Sequence, residues 1–148
     1  MEIIHRKEFH LHSFKHTKHI EELVNDKDID LINNRPWQCK NQIKDKLLLS
    51  GWENRIKISS EMNVSIQYKK SNVGLQFQFG NVAWGFYDLI KLQSAFDKEI
   101  IEYAVLVAAV KNVTNRWGSN IFHYERAEKE FEIYLESSKI PLLLLGVT

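Results

Sequence analysis

The side chains best spaced to act together in this chain are three amides. Gln67 lies in the run Val64-Ser65-Ile66-Gln67-Tyr68, and Gln76 and Gln78 lie in Val73-Gly74-Leu75-Gln76-Phe77-Gln78-Phe79. Both runs alternate apolar and polar residues, the period of a strand with one face toward a core. Lys69-Lys70-Ser71-Asn72 between them is polar enough for a hairpin connection. In such a hairpin Gln67 and Gln76 are cross-strand neighbours, and Gln78 shares the polar face of Gln76. A glutamine carbonyl can ligate a metal, but it carries no negative charge and accepts no proton near neutral pH. The group thus offers ligands and hydrogen bonds, and no general base.

The elements that must position these amides follow from the same periodicities. Ile3 to Phe14 reads as a strand or an irregular arm. Thr17 can cap a helix whose apolar positions Ile20, Leu23, Val24 and Leu31 carry it to about Asn33, where Pro36 ends it. A second helix fits Gln38 to Ser50, with Ile43, Leu47 and Leu48 inside and Gly51 just past its end. After the two amide-bearing strands, Val82 to Phe96 has helical spacing. Ala104 to Ala109 and Ile140 to Val147 are near-continuous apolar runs, expected of strands covered on both faces. Between them His123 to Ser138 is an amphipathic helix. This order implies a single α/β domain, a mixed sheet flanked by helices.

Composition narrows the class further. At 148 residues the chain can bury a sizeable core without disulfides or metal. Its 44% hydrophobic and 26% charged residues are those of a soluble globular protein. Cys39 is the single cysteine, so no internal disulfide forms and a reducing, cytoplasmic location is expected. The first residues lack the apolar core of a secretory signal, and the run from Ile140 is too short to span a bilayer. The net charge is only +1, but seven basic and three acidic residues fall between Gln38 and Asn72, against seven and nine from Val82 to the end. A basic excess beside a polar strand face suits phosphate contacts, although such runs are more often simply solvated.

Several segments then occur in an informative order. The strand ending Gln78-Phe79-Gly80-Asn81 precedes an aromatic-rich helix with Tyr87-Asp88-Leu89 and a buried strand ending near Lys111. A loop with Ser119-Asn120 leads into Tyr124-Glu125, and a run of leucines from Leu142 closes on Gly146. Leu47-Leu48-Leu49-Ser50-Gly51-Trp52 stands upstream as a helix before Gly-Trp. In this order, over about two thirds of the chain, the sequence resembles the BglII and BstYI family of type II restriction endonucleases. The resemblance implies a restriction-endonuclease-like core that hydrolyses a phosphodiester of double-stranded DNA with Mg²⁺. Two carboxylates hold the cation, which activates water and stabilises charge on the phosphate.

In the family an Asp is followed nine residues later by a Glu and two residues beyond by a Gln. The matching positions are Gln67, Gln76 and Gln78, so only the last agrees. With both carboxylates replaced by amides, Mg²⁺ binding is expected to be weak or absent and cleavage impaired. Glu61 and Asp88 are the acids left nearby, Asp88 in a supporting role. Deliberate inactivation and natural divergence to a DNA-binding pseudo-nuclease both explain the pattern. Glu to Gln at position 76 is the isosteric swap an experimenter would choose, whereas the isostere of the Asp expected at position 67 would be Asn.

By the same resemblance, Asn81, Ser119 and Asn120 stand where the family reads bases, and their groups suit base edges in the major groove. The plainer alternatives are that Asn81 caps the helix from Val82 and that Ser119 and Asn120 form a turn. Family members are homodimers on palindromic DNA, which makes Val82 to Phe96, with Trp84, Phe86 and Tyr87, the candidate interface. His5, His10, His12, His16 and His19 crowd the amino-terminal region without a recognised metal-ligand spacing, and they read as scattered histidines.

Overall fold

The computed structural model describes residues 1–10 and 17–148. Its strands are β1 (Ile3–Phe9), β2 (Glu53–Lys57), β3 (Ser65–Lys70), β4 (Val73–Gln78), β5 (Tyr103–Ala109) and β6 (Leu142–Val147). The helices are α1 (Thr17–Val24), α2 (Pro36–Leu49), α3 (Val82–Asp97), α4 (Lys111–Thr114) and α5 (Tyr124–Leu135). The strands form one sheet in the order β1-β6-β5-β4-β3-β2. The pairs β4–β5 and β5–β6 are parallel and the rest antiparallel. This is the mixed α/β sheet expected.

The apolar runs make its centre. Every residue of β6 is buried, as is all of β5 after Tyr103, because helices cover both faces. Parallel pairing sets Gln76 opposite Leu106 and Gln78 opposite Ala108, which places the amides at the carboxyl end of β4. In α/β sheets that end is where functional groups gather. The hairpin β3–β4 pairs Lys70 with Val73 and Tyr68 with Leu75. No helix among the described residues is long and apolar enough to cross a membrane.

Four expectations change. Every residue of β4 is buried, so the face bearing Gln76 and Gln78 is polar but not exposed: β4 lies inside the sheet, and α3 lies over that face. Helix α1 ends at Val24 because Asp26 and Asp30 capture the backbone that would continue it. Asp26 accepts from the N–H of Asp28, and Asp30 accepts from those of Ile32 and Asn33. Pro36 opens α2 rather than closing α1, since its missing N–H costs nothing in a first turn. The edge strand β2, Glu-Asn-Arg-Ile-Lys, and the short α4 were unexpected, as both are too polar or too brief to show a clear period.

Other expectations stand. Gly51 adopts a left-handed φ of 79° just past α2. The part of the amino-terminal arm beyond His10, including His12, Phe14 and His16, lies outside the described residues.

Candidate active-site network

The ladder between β3 and β4 runs only as far as Tyr68 and Leu75. Beyond it the strands separate, and side-chain amides replace the missing backbone bonds. Gln76 Oε1 accepts the backbone N–H of Gln67 at 2.8 Å. The Gln67 amide pairs with the backbone of Phe77 in both senses, accepting its N–H at 2.9 Å and donating to its carbonyl at 3.2 Å. Gln67 and Gln76 are therefore neighbours, joined through side chains rather than a regular pair.

The other ends of Gln76 and Gln78 reach into the sheet–α3 interface and meet Asp88. Gln76 Nε2 donates to Asp88 Oδ1 at 3.0 Å, and Gln78 Nε2 donates to Asp88 Oδ2 at 2.6 Å. Gln78 Oε1 accepts the N–H of Gly80 at 2.7 Å. Gln76, Gln78 and Asp88 are 0%, 3% and 3% exposed, so this is a buried polar cluster with its partners in place. The Lys91 ammonium, one helical turn from Asp88, lies 2.5 Å from Asp88 Oδ1 and over the Tyr87 ring at 5.1 Å from its centroid.

Two lysines set the electrostatics. Burial raises the Asp88 carboxyl above its ordinary range, opposed by Lys91, then Lys40, then the Gln78 amide. Burial also lowers the Lys40 ammonium on α2, which feels the attraction of Asp88 and the repulsion of Lys91. The described acids supply one carboxylate to this cluster, against two ammonium groups. Glu61 is exposed in the loop before β3 and takes no part. Among the described residues no three of His, Cys, Asp and Glu gather as a metal cluster.

The three residues given a base-reading role occupy one edge near the carboxyl end of β4, and all are exposed. Asn81 Oδ1 accepts the N–H of Ala83 at 2.9 Å and so caps α3. An isolated bridge joins Asn81 to Ile121. The Asn120 carbonyl accepts the N–H of Val82 at 3.1 Å, and the Gly80 carbonyl accepts that of Phe122 at 2.8 Å. The capping role of Asn81 is therefore real, and it coexists with a surface position beside Ser119 and Asn120. On the β2–β3 hairpin, Lys57 pairs with Ser65 and Glu53 with Lys69, which puts Lys57 and Lys69 on the same face as Gln67.

The restriction endonuclease BglII/BglIII family model matches residues 7–147. The chain belongs to this family. The crystal structure of restriction endonuclease BglII complexed with a DNA 16-mer superposes with a TM-score of 0.75 at 16% identity, covering 99% of this chain and 76% of that one. Free BglII gives 0.69 at 18% identity, covering 100% of this chain and 80% of that one. Both likenesses show the BglII fold. No curated protein matches the sequence.

Restriction endonucleases of the BglII family typically use Mg²⁺, and the donor set of this chain does not fit such an ion. The oxygens of Gln76 and Gln78 are turned to backbone N–H groups, and both Asp88 oxygens already accept amide hydrogens. The residues sequence reasoning missed are the lysines. Lys91 carried a signal, the i,i+3 spacing from Asp88 on a helix; Lys40 on the distant α2 carried none.

Proposed function

We propose that the chain is a sequence-specific double-stranded DNA-binding protein of the BglII type, working as a homodimer and not cleaving the strand. One observation carries the second half: the positions that would hold the metal are three amides whose oxygens are spent on backbone donors. A phosphodiester brought there meets no carboxylate pair to hold Mg²⁺, and the remaining Asp88 is tied by Gln76, Gln78 and Lys91. Family membership supports DNA as the ligand. Lys57 and Lys69 beside Gln67 supply phosphate contacts, and Asn81, Ser119 and Asn120 supply groups for base edges. A reducing cytoplasm suits the free, buried Cys39.

The test is selection of duplexes from a random library, followed by a cleavage assay on the winner with Mg²⁺. Binding should be specific and should weaken as salt rises, because phosphate contacts release counterions. The duplex should stay intact. Absence of binding at low salt would sink the proposal, and Mg²⁺-dependent nicking would remove its second half.

A second reading, an endonuclease inactivated by substitution, is favoured by the isosteric relation of Glu and Gln at position 76. It requires that Gln67→Asp with Gln76→Glu restore Mg²⁺-dependent cutting of plasmid DNA. A natural pseudo-nuclease, acting alone or as the silent partner of an active subunit, requires salt-dependent binding to a defined duplex and no cleavage by the unsubstituted chain in any divalent metal.

A further inference from the structure

We propose that the Lys91 ammonium is the resident cation of this site, occupying the electrostatic role of a divalent metal and closing the site to one. The proposal rests on reading Gln67, Gln76 and Gln78 as the site positions of the BglII family, and it concerns metal rather than DNA.

The orientation of the amides is fixed by groups that cannot turn. The N–H of Gln67 and the N–H of Gly80 are backbone donors, and each needs an oxygen. Their demand turns the oxygens of Gln76 and Gln78 away from α3 and leaves the NH₂ groups facing Asp88. A metal entering beside Asp88 would meet those N–H donors. Flipping the amides to offer oxygens would strand the backbone donors of Gln67 and Gly80 in a partly buried setting.

Charge points the same way. A hard dication is held by several anionic oxygens, whereas Asp88 is the single carboxylate that the described residues bring to this cluster. Its charge is already answered by Lys91 at 2.5 Å. Lys91 is itself held in place: its side chain is 13% exposed, and its ammonium lies over the Tyr87 ring. Lys40, half-buried and within electrostatic reach of both, adds a second positive charge. Returning a carboxylate to position 76 alone therefore sets two carboxylates side by side, with the Lys91 ammonium still bound to one of them.

Mn²⁺ binding, measured by calorimetry without DNA, tests this. The proteins are the unsubstituted chain, Gln76→Glu, Gln76→Glu with Lys91→Met, and Gln76→Glu with Lys91→Arg, with circular dichroism to check folding. The unsubstituted chain should take up no Mn²⁺ at ~1 mM, the weak end of protein cation sites. Gln76→Glu should bind poorly, and adding Lys91→Met should tighten binding by at least about tenfold, the usual reach of groups flanking a metal. The Lys91→Arg pair, which keeps the cation, should stay near Gln76→Glu and stands as the test if the Met pair does not fold. Mn²⁺ uptake by the unsubstituted chain that Asp88→Asn abolishes would overturn the proposal. So would equal affinity, including none, in the Gln76→Glu and Gln76→Glu/Lys91→Met proteins, or tight binding with Lys91→Arg. Loss of duplex binding, measured separately in EDTA, would sink the DNA reading and leave this result untouched.

Discussion

Asp88 is the residue whose chemistry the network has to tolerate. A buried carboxylate is costly unless it is both paired and hydrogen-bonded, and here an ammonium and two amides do this. Asp88→Asn exchanges one oxygen for an NH₂ group, so either Gln76 or Gln78 faces a donor instead of an acceptor. Lys91 also loses its partner. The expected loss is about 2 kcal/mol, read from urea denaturation, with the unmade hydrogen bond and the orphaned ammonium outweighing relief of the buried charge. The pH dependence has a definite sign. Because burial raises the Asp88 carboxyl, the folded state binds its proton more tightly than the unfolded state. The stability gap between the unsubstituted chain and Asp88→Asn is then widest below the ordinary carboxylate range. It narrows as pH rises through the window up to the raised value. A gap that widens instead would show that Lys91 and Lys40 dominate over burial. At this scale the sequence was partly legible. The three glutamines showed themselves by alternation, but their closure over Asp88 depends on α3 lying across β4, which no local pattern encodes.

At the scale of elements, Gly85 decides how α3 meets the loop that precedes α5. A Cβ placed there would come within 2.1 Å and 2.2 Å of the Phe122 ring carbons. The bare backbone lets Phe122 lie against the helix, and through it the Asn120 carbonyl and the Phe122 N–H reach residues 80–82. Alanine is the better helix former by ~1 kcal/mol. Overpacking a fully buried ring costs about 1–3 kcal/mol, so Gly85→Ala should be a net destabilisation. A melting temperature equal to or above that of the unsubstituted chain would contradict it. Duplex binding should fall with it, because Asn120 moves away from Asn81. Strands with unambiguous alternation or continuous apolar character were read from sequence close to their observed bounds. Elements whose limits depend on particular hydrogen bonds were not: α1 stops where aspartates take its N–H groups, and β2 becomes a strand only because β3 offers it an edge.

For the whole molecule the open question is what covers α3. Trp84, Tyr87 and Ile90 recur at i, i+3 and i+6, and Trp84 and Ile90 are 57% and 63% exposed. Tyr134 on α5 is exposed beside them, and a groove of about 870 Å³ lined by Phe86, Ile90, Phe96 and Tyr134 runs between the two helices. Contiguous apolar surface of this kind marks an interface more often than a solvated face. In the homodimer proposed above a second copy of the chain would cover this stripe, and its two-fold axis would set two half-sites in fixed register. The same stripe touches the site. Tyr87 carries the Lys91 ammonium on its ring, so burying Tyr87 in a dimer would also fix the cation that holds Asp88. Ile90→Glu should therefore separate two properties. As an exposed substitution it should leave stability within about 0.5 kcal/mol. It should convert a dimer into a monomer by sedimentation, and weaken binding to a palindromic duplex by about 100-fold as the second half-site loses its effective concentration. Binding to an isolated half-site should be nearly unchanged. An unsubstituted chain that sediments as a monomer at micromolar concentration, with Ile90→Glu binding the palindrome as tightly, would leave this face without the partner proposed for it.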